Sequence, residues 1–89
     1  MAAIRISNHA REQMEERGIS EEMVLDIVHH PQQSIPDGSE KMIYQSVKLF
    51  AAEGKEFLIR VFVNIIKKPN LVITVYRTSK IDKYWQDEN

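Results

Sequence analysis

Four residues in the second half of the chain stand at spacings that put them together. In Phe57-Leu58-Ile59-Arg60-Val61-Phe62-Val63-Asn64-Ile65 the odd positions are all large and apolar, with Arg60 and Asn64 among the even ones. A strand with this alternation buries Phe57, Ile59, Val61, Val63 and Ile65 and turns Arg60 to the opposite face. The run Leu71-Val72-Ile73-Thr74-Val75-Tyr76-Arg77-Thr78 repeats the period, with Leu71, Ile73 and Val75 as its apolar set and Thr74, Tyr76 and Thr78 opposite. If both apolar sets share one core, Arg60, Thr74, Tyr76 and Thr78 share the other sheet face. A guanidinium among hydroxyls and a phenol is a set of donors suited to phosphate.

The elements around these residues follow from local signals. Ser7 is placed to cap a helix from Asn8 to Arg17, which Gly18 stops; Ser20 is placed to cap a second helix with Met23, Val24, Ile27 and Val28 as its buried stripe, ended by Pro31. Pro31 to Ser39, with Pro36-Asp37-Gly38, reads as a loop. Lys41 to Phe50 reads as a strand with Ile43, Val47 and Leu49 on one face and Tyr44, Ser46 and Lys48 on the other. Short turns at Ala52-Glu53-Gly54-Lys55 and Lys67-Lys68-Pro69-Asn70 favour an antiparallel meander, and Ile81 to Trp85 is a last short helix or an added strand. The expected fold is α+β: two N-terminal helices packed on an antiparallel sheet of three to four strands, one domain over residues 1–89.

Composition narrows the functions. No cysteine is present, which excludes disulfides, thiolate ligands and a cysteine nucleophile, and His9, His29 and His30 lack a metal-ligand spacing. Neither a metal nor another cofactor is expected. No apolar run is long enough for a membrane span and no start resembles a signal peptide, so the expectation is a soluble, cytoplasmic protein with no membrane partner. The net charge of −1 hides an asymmetry: residues 1–40 carry three arginines against eight carboxylates, a net of −5. Residues 41–85 carry nine cations against three carboxylates, a net of +6. The basic half reads either as solubilising lysines at strand edges or as a nucleic-acid footprint.

The segment Ser7 to Ser20, with Tyr44 and the closing Val75-Tyr76-Arg77-Thr78-Ser79-Lys80, resembles a family of small bacterial and archaeal proteins of unassigned function. That family is similar to the RelE-like and BrnT-like toxins of the barnase–EndoU–colicin–RelE superfamily. The resemblance covers nearly the whole chain and implies a RelE/barnase-like fold. It also implies metal-independent ribonuclease activity, of the messenger-RNA interferase kind, neutralised by a small antitoxin protein. The chemistry needs a base for the 2′-hydroxyl, donors for the phosphate and an acid for the leaving oxygen. His9, Arg60 and Tyr76 are the candidate catalytic residues, and Arg17, Tyr44, Lys48, Thr74, Thr78 and Lys80 the candidate RNA-binding ones. Helices on the apolar sheet face would oblige His9 to reach around an edge to meet Arg60. The alternative is a non-catalytic RNA- or protein-binding module with the same fold, or a partner subunit that accepts a strand at its sheet edge.

Overall fold

The computed structural model describes residues 3–87. Its elements run β1 (Ile4–Ile6), α1 (Asn8–Arg17), α2 (Glu21–His29), β2 (Gln33–Asp37), β3 (Lys41–Phe50), β4 (Lys55–Asn64), β5 (Asn70–Thr78) and α3 (Ile81–Tyr84). The five strands form one mixed sheet in the order β1-β5-β4-β3-β2, with β1 parallel to β5 and the other pairs antiparallel. The α+β class stands, but among the described residues the sheet has five strands rather than three or four, and there are three helices.

Both N-terminal helices form where their caps dictate. The Ser7 hydroxyl accepts from Ala10 N at 3.1 Å and the Ser20 hydroxyl from Met23 N at 3.1 Å, each satisfying a donor that a helix start leaves free. Gly18 takes φ 66°, and the N–H groups of Gly18 and Ile19 return to the carbonyls of Glu15 and Met14. This reverse turn buries Ile19 against the helix it ends.

The helices cover one face of the sheet. Ala10 and Met14 of α1 and Val24 and Ile27 of α2 meet Phe57, Ile59, Val61, Val63, Val72 and Val75 in one core. Each fully buried valine or isoleucine there contributes about 1.5–3 kcal/mol over its exposed state. Two of the expected apolar positions differ. A bulge between Phe62 and Val63 leaves Ile73 unpaired on β5, so that Val72, not Leu71 or Ile73, joins Val75 in the core. Without the extra residue, the period of two would have kept Ile73 on the buried side.

Two strands were not expected. β1 is three residues long and pairs with β5 across most of the chain's length, and β2 occupies the stretch read as a loop. Pro36 is tolerated in β2 because this strand is the sheet's edge, where a missing N–H need not break a ladder.

Candidate functional site

The face away from α1 and α2 carries the residues that alternation put together. In the register, Arg60 stands opposite Tyr76 on one side and Gln45 on the other, Phe62 opposite Thr74, and Leu58 opposite Thr78. Ile59, Val61 and Val75 lie behind them in the core. The expected grouping of Arg60, Thr74, Tyr76 and Thr78 is therefore the observed one.

Arg60 is the centre of this face. Its Nε donates to Gln45 Oε1 at 2.9 Å, and its guanidinium carbon lies 4.4 Å from the centre of the Tyr84 ring and 5.4 Å from that of Phe62. One edge of the guanidinium is thus fixed, while among the described residues its Nη groups make no hydrogen bond and remain as donors. The other partly buried arginines are neutralised: Arg17 meets Glu16 and Arg77 meets Glu53. Arg60 has no carboxylate partner among the described residues; Asp37, near enough to be felt, pairs with Lys41 at 3.7 Å. Burial pulls the Arg60 pKa below its usual value, opposed by Tyr84, Tyr76 and Asp37, and a guanidinium so shifted is still a cation.

Gln45 is fully buried and explains how Arg60 is held. Its Nε2 donates to Gln33 Oε1 at 2.7 Å and to the Tyr84 carbonyl at 3.1 Å, while its Oε1 accepts from Arg60. Gln33 in turn donates to the Gln86 carbonyl at 2.6 Å and accepts from Gln86 N at 3.1 Å. The C-terminal segment is thereby laid over this face, with the Tyr84 ring edge-on to Tyr76 at 5.9 Å. The Tyr76 hydroxyl pulls the Tyr84 phenol below its ordinary value of 10.0, with Lys83 and Arg60 adding to the shift and burial opposing it.

Other predicted residues lie elsewhere. His9 is exposed near the start of α1 and Arg17 closes that helix, on the side of the sheet opposite Arg60. α1 packs along β5, where Gln13 Oε1 accepts from Val75 N at 2.8 Å, and no contact joins His9 to Arg60 among the described residues. Tyr44 and Lys48 also face the helices: Tyr44 packs against the core, and Lys48 Nζ reaches Asp26 of α2 at 2.8 Å. A tyrosine can bury its ring and a lysine can lay its stem along apolar surface with its charge outside, so neither needed the polar face. Ile43 and Val47 take the opposite face with Gln45. Thr78 shares the Arg60 face, but its hydroxyl is buried and accepts from Lys80 N at 3.0 Å in the turn that leads to α3. Lys80 itself is exposed at that turn.

Gln33, Gln45 and Tyr84 were missed by the sequence reading. Gln45 left a signal, since it interrupts the otherwise apolar set Ile43, Val47 and Leu49, and an amide at an apolar position must find partners. Gln33 and Tyr84 left none, because their roles depend on a contact between residues 53 positions apart, such as that of Gln33 with Gln86. No group of three or more His, Cys, Asp or Glu side chains able to hold a metal ion occurs among the described residues. No helix described is long and apolar enough to cross a membrane.

A family model described as a domain of unknown function (DUF4258) matches residues 6–77. The chain belongs to this family. The match takes in Gln33, Gln45, Arg60 and Tyr76 and stops before Thr78, so that the family region ends with β5 and α3 lies beyond it. No curated protein and no solved structure matches the chain.

Proposed function

We propose that the Arg60 face binds RNA and that the protein is a metal-independent ribonuclease of the RelE-like and BrnT-like kind, acting in the cytoplasm and restrained by a small antitoxin protein. The observation that carries this reading is Arg60: anchored through Nε, stacked on an aromatic ring and without a carboxylate partner among the described residues. A guanidinium in that state presents its free edge to an anion, and a phosphodiester takes it bidentately. Tyr76 supplies a hydroxyl donor and a ring for base stacking beside it.

In the proposed reaction the 2′-hydroxyl oxygen attacks the adjacent phosphorus and the bond to the 5′-oxygen breaks, leaving a 2′,3′-cyclic phosphate and a 5′-hydroxyl. The proton lost from the 2′-hydroxyl and the one gained by the leaving oxygen are balanced. Tyr76, a catalytic candidate from the sequence that stands opposite Arg60 in the register, moves the proton at that phosphate. Arg60 stabilises the charge that grows on the non-bridging oxygens. The acidic first 40 residues and basic remainder support an inhibitor that covers the sheet with an acidic segment. A second reading, a non-catalytic RNA- or protein-binding module, is favoured by one observation: all three histidines belong to the helical segment from Asn8 to His30, and none of them bonds to Arg60 among the described residues.

The test is binding and cleavage of labelled single-stranded RNA with a chelator present, by parent, Arg60→Ala, Arg60→Lys and Tyr76→Phe. Cleavage by the parent should fall about a hundred-fold or more in Arg60→Ala, as for the loss of one oxyanion donor. It should be abolished by deoxyribose at the cut site. Binding without cleavage selects the non-catalytic reading, and no RNA binding by the parent refutes both forms of the RNA reading. Growth arrest on expression, relieved by co-expressing a small neighbouring gene, tests the antitoxin.

A further inference from the structure

The segment that lies over Arg60 is fastened unlike the rest of the chain. α3 has only four residues, none of them buried, and no side chain caps its start. Its hold on the sheet comes from Gln33 and Gln45, which bond to the backbone of Tyr84 and Gln86, and from the Tyr84 ring against Arg60. The two bonds between Gln33 and Gln86 are exposed to water, which competes for both partners. Segments with few buried apolar groups and exposed hydrogen bonds open at far lower free energy than the core they rest on.

What lies beneath is what a nucleic acid would use. With the segment in place one guanidinium face of Arg60 is occupied by Tyr84 and the Gln45 amide is fully buried, while the Nη groups make no hydrogen bond among the described residues. A phosphate can approach this closed face, whereas a base can neither stack on Arg60 nor bond to Gln45. Gln45 bonds both to Arg60 and to the Tyr84 carbonyl, so lifting the segment also frees the side chain that orients the guanidinium.

We propose that residues 79–87 form a strap that opens reversibly at Ser79 and Lys80, and that opening, relayed to Arg60 through Gln45, admits single-stranded RNA to the sheet face. The ligand named here rests on the RNA-binding reading; the opening itself does not. The latch bonds are to backbone groups, so they hold the strap without regard to its side chains, and Gln33→Ala removes both bonds to Gln86 together with the one from Gln45, leaving Gln45 its bonds to Arg60 and the Tyr84 carbonyl.

Trp85 is the only tryptophan in the chain and lies in the strap, so its emission reports on the strap alone. The experiment uses the full chain and the Gln33→Ala variant, with amide hydrogen exchange, Trp85 fluorescence and a short oligouridylate as the RNA probe. The Trp85 and Gln86 amides should exchange about a hundred-fold or more faster than those of β4, and faster again in Gln33→Ala, while the sheet stays protected. Oligouridylate should shift Trp85 emission to the red and bind Gln33→Ala several-fold tighter than the parent. Strap amides as protected as those of β4, or RNA bound with no change in Trp85 emission, would overturn the proposal. If no RNA binds while Gln33→Ala still speeds strap exchange, the RNA reading and the ligand named here fail and the opening stands.

Discussion

Replacing Gln45 with leucine separates the polar latch from simple packing. Leucine fills nearly the same volume, so no cavity is expected, and the loss is confined to three hydrogen bonds: to Gln33 at 2.7 Å, to the Tyr84 carbonyl at 3.1 Å and from Arg60 at 2.9 Å. The first two are neutral, contributing about 0.5–1.5 kcal/mol each, and the third involves a charged donor at about 1.5–3 kcal/mol. Against this, burying a leucine gains about 1.5–3 kcal/mol. Gln33 Oε1 also keeps its bond from Gln86 N, and partly exposed Arg60 can take up water in exchange. The net expectation is a destabilisation of about 1–3 kcal/mol, a sizeable share of the roughly 5–13 kcal/mol that a domain of this length has. Urea unfolding followed by far-ultraviolet circular dichroism measures it, as a lower midpoint at unchanged slope. Trp85 fluorescence followed in the same samples should begin to change at lower urea than the dichroism, because the strap loses its hold before the sheet melts. A leucine variant as stable as the parent, or one whose two signals coincide with the parent's, would refute the assignment of Gln45 as the link between strap and sheet.

Gly18→Ala should cost about 1–2 kcal/mol in urea unfolding, because φ 66° strains an L residue while the added methyl meets nothing within 4 Å. The Lys48 ammonium, through its hydrogen bond and its charge, holds the Asp26 carboxyl below its ordinary 3.8. A folded-state pKa that is depressed gives stability present above the unfolded value and lost as the pH falls through the folded one. A carboxyl titration by nuclear magnetic resonance should therefore find Asp26 low in the parent and higher in Lys48→Met, with the stability difference between the two shrinking in acid. Tyr84 should ionise below its ordinary 10.0, and Tyr76→Phe should move it upward, as read from tyrosinate absorbance. Its lowered folded value adds stability only in alkali, above the unfolded pKa, and that gain is lost as the pH falls through the folded value.

What the sequence by itself determined is what neighbouring residues decide. Ser7, Ser20 and Gly18 set the helix ends because caps and left-handed turns involve groups within a few positions of one another. The period of two along β4 and β5 put Arg60, Thr74, Tyr76 and Thr78 on one face, since the pleat alternates wherever the strand lies. Alternation cannot say which face the helices will cover, and so Tyr44 and Lys48 went to α2 and the core while Ile43 and Val47 joined Arg60. Nor can it announce an extra residue: the bulge at Ile73 is felt only when β5 is laid against β4. β1 and β2 carry little strand signal of their own and exist because β5 and β3 offer them unpaired backbone groups. The setting of Arg60 was decided by tertiary structure alone. Its neighbours Gln45 and Gln33 face each other across the β2–β3 pair, Tyr84 comes from the far end of the chain, and only folding brings their amides, backbone and ring within bonding distance of it.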